Sequence, residues 1–352
     1  MEYKHEVTYS ILAFIWAFMI SLFAMPSIIE MPHAKKLLDK PNERTMHTKL
    51  TPRLGGLGIF AGFFSALTIF GDFQTSDLGV QMMLAGSVIL FFVGLKDDII
   101  PVSVFKKFFM QVLAASIVVF FGNIRIVSFY GFMDVFGLND DISYAVTFFV
   151  IIGLTNAINL IDGLDGLAGS IVLFICLSFS VCFLFAGSPY VFVSVALAGA
   201  LCGFLRYNFY QAKIFMGDTG SLLCGFVLSV LSVKAISLQL EPVNMPAITL
   251  AVLIVPVVDT LRVFVLRTFN GKSPFSPDRN HLHHVLSSLG FESRIVVAIL
   301  LLVNILFVSS VYFLGREYSI NVLVIYIISL VFFTLFVLIY LPRLFNYLRN
   351  ER

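Results

Sequence analysis

Long apolar stretches recur from one end of this 352-residue chain to the other. A helix needs ~20 mostly apolar residues to cross a bilayer, and about eleven stretches approach that length. They lie near 9–29, 55–71, 80–95, 104–121, 143–161, 167–186, 190–205, 219–238, 247–266, 295–314 and 320–341. Hydrophobic residues make up 59% of the chain and charged residues 12%, which excludes a soluble globule. The sequence predicts an all-α polytopic integral membrane protein that forms a single domain over residues 1–352.

Basic residues collect in alternate loops of this pattern. The loops near 30–54, 96–107, 206–218 and 267–294, together with the C-terminal tail, hold most of the lysines and arginines. Loops on the cytoplasmic side carry an excess of Lys and Arg. We therefore expect the N-terminus outside and the C-terminus in the cytoplasm. The net charge of +2 says little about partners.

The polar motifs fall on the predicted cytoplasmic side. They are Asp97-Asp98, the stretch from Asn156 to Gly166, Met216-Gly-Asp218-Thr-Gly-Ser221, and Ser276-Pro-Asp-Arg-Asn-His281-Leu-His283-His284. Scattered surface polarity would have put roughly half of them outside, by the positive-inside assignment. The cytoplasmic loops near 30–54, 96–107, 206–218 and 267–294, with the turn near 162–166, are therefore expected to form one active site.

The stretch from Asn156 to Gly166 carries the densest polarity. Asn156, Asn159 and Asp162 recur at steps of three, so a helix puts them along one side. Gly163 and Gly166 then break the helix. Because unpaired carboxylates are costly at a membrane boundary, a ligand or ion is expected beside them. The alternative is a polar hairpin between two spanning helices.

Two further motifs carry carboxylates at helix ends. In 217–221, glycines free backbone N–H groups at a helix start, where a phosphate binds well, and Asp218 could take a bridging cation. The alternative is an ordinary N-cap by Asp218 or Thr219. Asp97 and Asp98 have lysines on both sides, so they are either functional or simply paired with a lysine.

The histidine motif is rich in hydrogen-bond donors. Its spacing would suit zinc, but no cysteine or carboxylate nearby completes a tetrahedral set. Beside Arg279, the histidines His281, His283 and His284 look more like donors to a polyanion. The oxygen ligands of several aspartates favour magnesium, which takes part of its shell from substrate phosphates. The clusters together describe a site for a metal-chelated diphosphate.

Taken together, these motifs resemble those of the polyprenyl-phosphate N-acetylhexosamine-1-phosphate transferases. The matching motifs are Leu38-Asp-Lys-Pro-Asn42, Pro52-Arg-Leu-Gly-Gly56, Asp97-Asp98, Asn156-x-x-Asn159-x-x-Asp162-Gly-x-Asp165-Gly, Phe215-Met-Gly-Asp218-x-Gly-Ser and the histidine loop. The loop is similar to the form found in the branch that initiates O-antigen, common-antigen or teichoic-acid carriers. It departs from the longer histidine run of the peptidoglycan branch, which argues against a MurNAc-pentapeptide donor.

The resemblance implies a role for each matching position. Asp97, Asp98, Lys107 and His281 would be catalytic, and Asp218, with Asp98, would bind the metal. The residues implied in substrate binding are Lys49, Thr51, Asn156, Asn159, Asp162, Asp165, Asn208, Phe215, Arg279, His283 and His284. Phe215 would stack on uracil.

The implied reaction moves a sugar-1-phosphate from a UDP-sugar, by default UDP-GlcNAc, to undecaprenyl phosphate and releases UMP. The cofactor would be Mg²⁺, with Mn²⁺ as the substitute. The setting would be the bacterial inner membrane, with a homodimer as the expected assembly and no nucleic-acid partner. A transporter using intramembrane carboxylates is the main alternative, although its site would sit near mid-membrane between repeated halves. An inactive scaffold is a third reading, disfavoured because every motif keeps its acids.

Overall fold

The structure, a computed structural model, describes residues 2–30, 38–39, 51–71, 78–238, 240–271 and 280–340. The helices are α1 (Glu2–Ile29), α2 (Gly55–Phe70), α3 (Leu78–Ile99), α4 (Val104–Ser116), α5 (Asp140–Ile161), α6 (Leu167–Phe185), α7 (Tyr190–Asn208), α8 (Gly217–Ile236), α9 (Met245–Val252), α10 (Ile254–Phe269), α11 (Leu282–Ser288), α12 (Ser293–Leu314) and α13 (Ile320–Leu335). Short π-helical stretches, Ile117–Phe121 and Phe336–Tyr340, continue α4 and α13. Strands β1 (Leu38–Asp39) and β2 (Thr51–Pro52) pair antiparallel.

The described helices confirm an all-α polytopic membrane protein. Nine of them are long and apolar enough to cross a membrane, and the pair α9 and α10, bent by 66°, makes up to a tenth span. Helix α2 is shorter, at 16 residues. With α2 and the bent pair included, each apolar stretch predicted from the sequence coincides with a helix. The orientation of the termini stays a prediction.

The chain divides into two compact units. The first comprises Met1–Val127 and Leu138–Leu240, and the second comprises Ser128–Gly137 and Glu241–Arg352. The single transferase domain expected from the sequence stays a prediction.

Helix α8 is the centre of the first unit. It packs against α2, α3, α5 and α6, and 89% of its apolar window is buried. Hydroxyl groups within it donate to its own backbone, as Ser232 does to the carbonyl of Leu228. A buried helix can therefore carry serines without leaving a polar group unsatisfied.

Small residues bring α1 and α7 together in the same unit. A methyl group at Gly199 would lie 2.2 Å from the carbonyl oxygen of Phe14, and one at Gly203 would lie 2.7 Å from the amide of Leu22. Glycines four residues apart let membrane helices pack backbone to backbone. The first helix is thus part of the packed unit.

The second unit contains the break between α9 and α10. The side-chain amide of Asn304 on α12 donates to the carbonyl of Val252 at 3.1 Å, at the end of α9. Broken helices are tolerated inside membranes when a neighbour satisfies the freed backbone groups. Within this unit, the amide of Met133 also donates to Asn321 Oδ1 at 2.8 Å.

Candidate active site

The first turn of α8 is held by a carboxylate from α3. Asp98 Oδ1 accepts the amide of Asp218 at 2.9 Å, and Asp98 Oδ2 accepts the amide and the hydroxyl of Thr219 at 2.9 and 2.5 Å. Gly217, with a φ of +70°, allows the chain to enter the helix at this point. Asp98 therefore occupies the amides of Asp218 and Thr219. The sequence suggests either a phosphate at this helix start or a cap by Asp218 or Thr219, and the structure places the Asp98 carboxylate there instead.

Lys107 on α4 joins two carboxylates. Its Nζ lies 2.8 Å from Asp97 Oδ2 and 2.8 Å from Asp218 Oδ2. Asp97 Oδ1 also accepts the amide of Val102 at 2.5 Å. The side chains of Lys107, Asp97 and Asp218 are 23%, 15% and 27% exposed, so a ligand can reach all three. We call Asp97, Lys107, Asp218 and Asn159 the acidic cluster.

The asparagines of α5 complete this arrangement. Asn159 Nδ2 donates to Asp218 Oδ1 at 3.1 Å and to the Ser221 hydroxyl at 2.8 Å. One turn earlier, Asn156 Nδ2 donates to Gln111 Oε1 at 2.8 Å. The asparagines predicted to share one side of this helix thus contact two neighbouring helices, Asn156 contacting α4 and Asn159 contacting α8. Gln111, one turn after Lys107 on α4, is a further residue of this arrangement that the sequence motifs do not include.

Asp162 follows directly after α5 and is half-buried. Burial and the negative charges of Asp218 and Asp98 together raise the pKa of its carboxyl to about 7, although the positive charge of Arg53 opposes the shift. The interaction shows that Asp98, Asp162 and Asp218 lie close enough to repel one another. The site therefore holds an excess of negative charge that favours a cation.

Asp165 and Asn208 connect the turn after α5 to the loop before α8. Asn208 Oδ1 accepts the amide of Gly166 at 3.0 Å, and Asn208 Nδ2 donates to the carbonyl of Ile214 at 2.9 Å. Asp165 Oδ2 accepts the amide of Ala212 at 3.0 Å. Both side chains are buried and hold the backbone of this loop. Their contact with a nucleotide stays a prediction.

The first two glycines of α2 contact the residues immediately before α8. The amides of Gly55 and Gly56 donate to the carbonyls of Phe215 and Met216 at 2.8 and 3.0 Å. The amide of Phe215 in turn donates to the carbonyl of Pro52 at 2.8 Å. This pairing fixes the half-buried Phe215 in the loop, although stacking on uracil stays a prediction.

Three predicted substrate-binding residues remain to be placed. Thr51 is buried in β2. Lys49 and Arg279 lie outside the described residues.

The second unit holds His281, His283 and His284 together with Asp259, an acid inside the predicted span 247–266. His281 Nδ1 lies 2.9 Å from Asp259 Oδ2, and the amide of Leu282 donates to Asp259 Oδ1 at 2.7 Å. Both Asp259 and His281 are buried. Asp259 could have been suspected because it is an acid inside a predicted span, but its partner lies 22 residues away.

The three histidines have different surroundings. The rings of His281 and His283 are nearly parallel, with centroids 5.7 Å apart, and His284 lies 4.2 Å from His283. His283 is only 2% exposed, and burial, with the neighbouring His284, lowers its pKa to about 3. His283 is therefore a neutral packed ring at physiological pH, while half-buried His284 is more accessible. Substrate contacts of all three stay predictions.

The donor set of the first unit fits a magnesium ion that is shared with a substrate. Among the described residues, no three His, Cys, Asp or Glu side chains form a ready-made metal cage. Magnesium does not need one, because it is commonly held by one or two carboxylates and substrate phosphates. Asp218 is partly exposed, and the repulsion that raises the pKa of Asp162 would be relieved by a cation.

Comparison with known proteins gives a consistent assignment. The family model for glycosyl transferase family 4 matches residues 80–236, which include the aspartates and asparagines described above for the first unit but not Asp259. A Bacillus subtilis protein named "Probable undecaprenyl-phosphate N-acetylglucosaminyl 1-phosphate transferase" is 34% identical over 301 residues, covering 83% of this chain and 82% of that protein.

Relatives from other bacteria carry related names. The decaprenyl-phosphate N-acetylglucosaminephosphotransferase of Mycobacterium tuberculosis H37Rv is 35% identical over a region that covers 74% of this chain and 72% of that protein. The undecaprenyl-phosphate alpha-N-acetylglucosaminyl 1-phosphate transferase of Escherichia coli K12 is 30% identical with the same coverage. The chain therefore belongs to glycosyl transferase family 4, among the polyprenyl-phosphate N-acetylglucosamine-1-phosphate transferases.

Proposed function

We propose that the protein transfers N-acetylglucosamine 1-phosphate from UDP-GlcNAc to undecaprenyl phosphate and releases UMP, with Mg²⁺ as cofactor. The observation that carries the proposal is the acidic cluster, in which Lys107 bridges Asp97 and Asp218 beside Asn159. Relatives that span most of this chain are named for transfer to undecaprenyl or decaprenyl phosphate. We further propose the bacterial inner membrane as the location and its cytoplasmic face as the side of the site.

The main obstacle to this reaction is electrostatic. The second pKa of a phosphate monoester is ~6, so the acceptor is mostly a dianion at neutral pH and needs little help from a base. The donor diphosphate is also an anion, and the two repel each other. Positive charge aimed at the reacting phosphates lowers the barrier because the charges are already in position.

Side chains of the cluster supply that charge and orientation. Asp218 would hold a Mg²⁺ ion, which when bound supplies positive charge to the donor diphosphate. Lys107 contacts both Asp218 and Asp97, and its ammonium group would contact a phosphate oxygen of the bound substrate. Asn159 donates to Oδ1 of Asp218, the carboxylate oxygen that Lys107 does not contact, and so helps to keep this side chain oriented.

Of the two adjacent aspartates, Asp97 is the better candidate for contact with the acceptor. The two oxygens of Asp98 accept three hydrogen bonds from the start of α8, so this residue positions Asp218. Asp97 Oδ2 accepts a hydrogen bond from the ammonium group of Lys107, and the Asp97 side chain is 15% exposed. Asp97 would orient the acceptor phosphate or remove its residual proton.

The bonds balance in a single displacement. An oxygen of undecaprenyl phosphate forms a bond to the sugar-linked phosphorus, and the bond between that phosphorus and the bridging oxygen breaks. UMP leaves with that oxygen, and the product is a lipid diphosphate sugar. A covalent phosphosugar on an aspartate is the alternative path, and exchange of labelled UMP into UDP-GlcNAc without acceptor would reveal it.

Transport finds no support in these observations. The described carboxylates of the first unit collect at helix ends, and the relatives carry transferase names. A homodimer stays a prediction, which the mass of the protein in detergent would test.

The test uses purified protein with undecaprenyl phosphate and a panel of UDP-GlcNAc, UDP-GalNAc and UDP-MurNAc-pentapeptide. We expect UMP release with UDP-GlcNAc that requires both the acceptor and Mg²⁺, and that stops when EDTA is added. Release with UDP-MurNAc-pentapeptide alone would refute the proposed donor. The absence of Mg²⁺-dependent release with every donor would refute the transferase activity.

A further inference from the structure

The buried contact between Asp259 and His281 offers a role for a residue outside the family motifs quoted above. Asp259 lies on α10, six residues after the break at Leu253, and is 2% exposed. Its carboxylate makes two contacts, one to the His281 ring at 2.9 Å and one to the amide of Leu282 at 2.7 Å. A buried carboxylate is costly unless it is paired and hydrogen-bonded. The pair is therefore a specific arrangement that the surrounding chain must maintain.

The same face of α10 also holds the backbone of Asn280, the residue immediately before His281. Arg262 is one turn after Asp259, and its Nη1 donates to the carbonyl of Asn280 at 2.5 Å. Two side chains from one helical turn thus contact residues immediately before and after His281. This arrangement fixes both the backbone and the ring.

The contact also determines which ring nitrogen carries a proton. A carboxylate can only accept a hydrogen bond, so the proton of this contact resides on Nδ1 of His281. The other nitrogen, Nε2, is on the opposite side of the ring. It accepts a hydrogen bond when the ring is neutral and donates one when the ring is charged.

We infer that Asp259 is a positioning residue that sets the tautomer and orientation of His281, so that Nε2 is the atom offered to the phosphorylated substrate. The inference rests on the proposed function, in which the substrate is a nucleoside diphosphate sugar. Histidines that act on ligands commonly have their second nitrogen fixed by a carboxylate or carbonyl. His283 shows the contrast, because it is equally buried but its two nitrogens have no hydrogen-bond partner among the described residues.

The first experiment compares Asp259→Asn, His281→Gln and the double variant in the UMP-release assay. We expect Asp259→Asn to lower kcat by roughly 10- to 100-fold, as loss of an orienting partner does at other sites, with KM for UDP-GlcNAc changed less than about threefold. The double variant should be no slower than His281→Gln alone, because Asp259 acts through the histidine. Losses that multiply in the double variant, or full activity of Asp259→Asn, would overturn the inference.

The second experiment reads the ring directly and does not depend on turnover. ¹⁵N-histidine NMR of the wild-type protein should show His281 protonated and hydrogen-bonded at Nδ1. In Asp259→Asn, an amide facing the ring should shift the proton towards Nε2. A wild-type ring that carries its only proton on Nε2, or a tautomer unchanged by the substitution, would overturn the inference.

Glu292→Gln provides the matched control. It is the same type of carboxylate-to-amide change in the second unit, on a side chain 71% exposed and 3.9 Å from Arg294. Wild-type kcat, KM and histidine spectra are expected for it. If the wild-type protein releases no UMP with any donor, the proposed function fails, while the NMR result still decides the role of Asp259. If Asp259→Asn does not fold, the wild-type spectrum still decides it.

Discussion

Single carboxyl groups in this protein differ sharply in what surrounds them. Asp98 has its oxygens filled by the start of α8, whereas Asp218 is open enough for a ligand. Asp162 lies close enough to both for their negative charges to raise its pKa. Partial burial and two neighbouring negative charges both favour the neutral form of a carboxyl group. Its protonation should therefore report the charge of the site.

A pH series on Asp162→Asn tests this reading. The pKa of Asp162 is about 7 in the folded protein, above the ~3.9 of an unfolded aspartate. Between these values the folded state binds more protons, so the stability from this group is lost as the pH rises through 7. The asparagine variant lacks this loss. Its melting temperature in metal-free detergent should exceed that of the wild type by a margin that is small at pH 5 and larger at pH 8.

Added Mg²⁺ should narrow that margin at pH 8 if the ion neutralises the site. The measurement is thermal unfolding at both pH values with EDTA or Mg²⁺. A difference in melting temperature that is the same at pH 5 and pH 8 would contradict the raised pKa.

At the level of helices, glycines determine how closely α3 approaches the first turn of α8. A methyl group at Gly94 would lie 2.4 Å from the carbonyl oxygen of Asp218. Gly153 on α5 provides a contrast, since nothing lies within 4 Å of a methyl group there. Both glycines are in helix interiors, where alanine is favoured by ~1 kcal/mol. The contact is therefore the difference between them.

Alanine at each position should have opposite effects. Gly94→Ala should destabilise the protein by roughly 1–3 kcal/mol, because the backbone of α8 must move. It should also lower kcat, since Asp218 moves with α8. Gly153→Ala should retain wild-type kcat and melt at an equal or higher temperature. Equal behaviour of the two variants in unfolding and UMP release would show that this close approach does not matter.

The positions of the helices could be predicted from the sequence because they depend on local properties of each segment. Length and hydropathy belong to each segment, so the apolar stretches and the helices coincide. The partners of the acids are not local. Asp98 contacts residues 120 and 121 positions away, and Asp259 contacts a ring 22 positions away. The motifs identified chemistry-bearing residues, but not that Asp98 and Asn208 hold backbone, or that Asp259 holds His281.

For the whole molecule, orientation depends on whether α2 crosses the bilayer. An odd number of crossings puts the two termini on opposite sides, and the distribution of lysine and arginine predicts that outcome. With 16 residues, α2 spans about 24 Å at 1.5 Å per residue, less than the ~30 Å hydrocarbon core. The distribution of basic residues therefore predicts that α2 crosses the bilayer, whereas its length argues against a crossing. We expect that α2 does cross.

Cysteine labelling in intact cells distinguishes the two arrangements. The background is a variant without the four native cysteines, which are free in this structure. An impermeant maleimide should label Gly71→Cys, after α2, and Asp141→Cys, at the start of α5. It should not label Glu30→Cys, at the end of α1. Labelling of Glu30→Cys, or protection of Gly71→Cys, would contradict the predicted orientation.

The central claim is that the acidic cluster gathers a cation and phosphates, and the Mg²⁺ dependence of UMP release by Asp218→Asn and Lys107→Gln tests it most directly. We predict kcat at least ~100-fold lower for both variants, with the Mg²⁺ concentration for half-maximal activity raised in Asp218→Asn alone. Asp141→Asn, an exposed aspartate at the start of α5, should match the wild type. Wild-type turnover with unchanged Mg²⁺ dependence in folded Asp218→Asn protein would contradict the account.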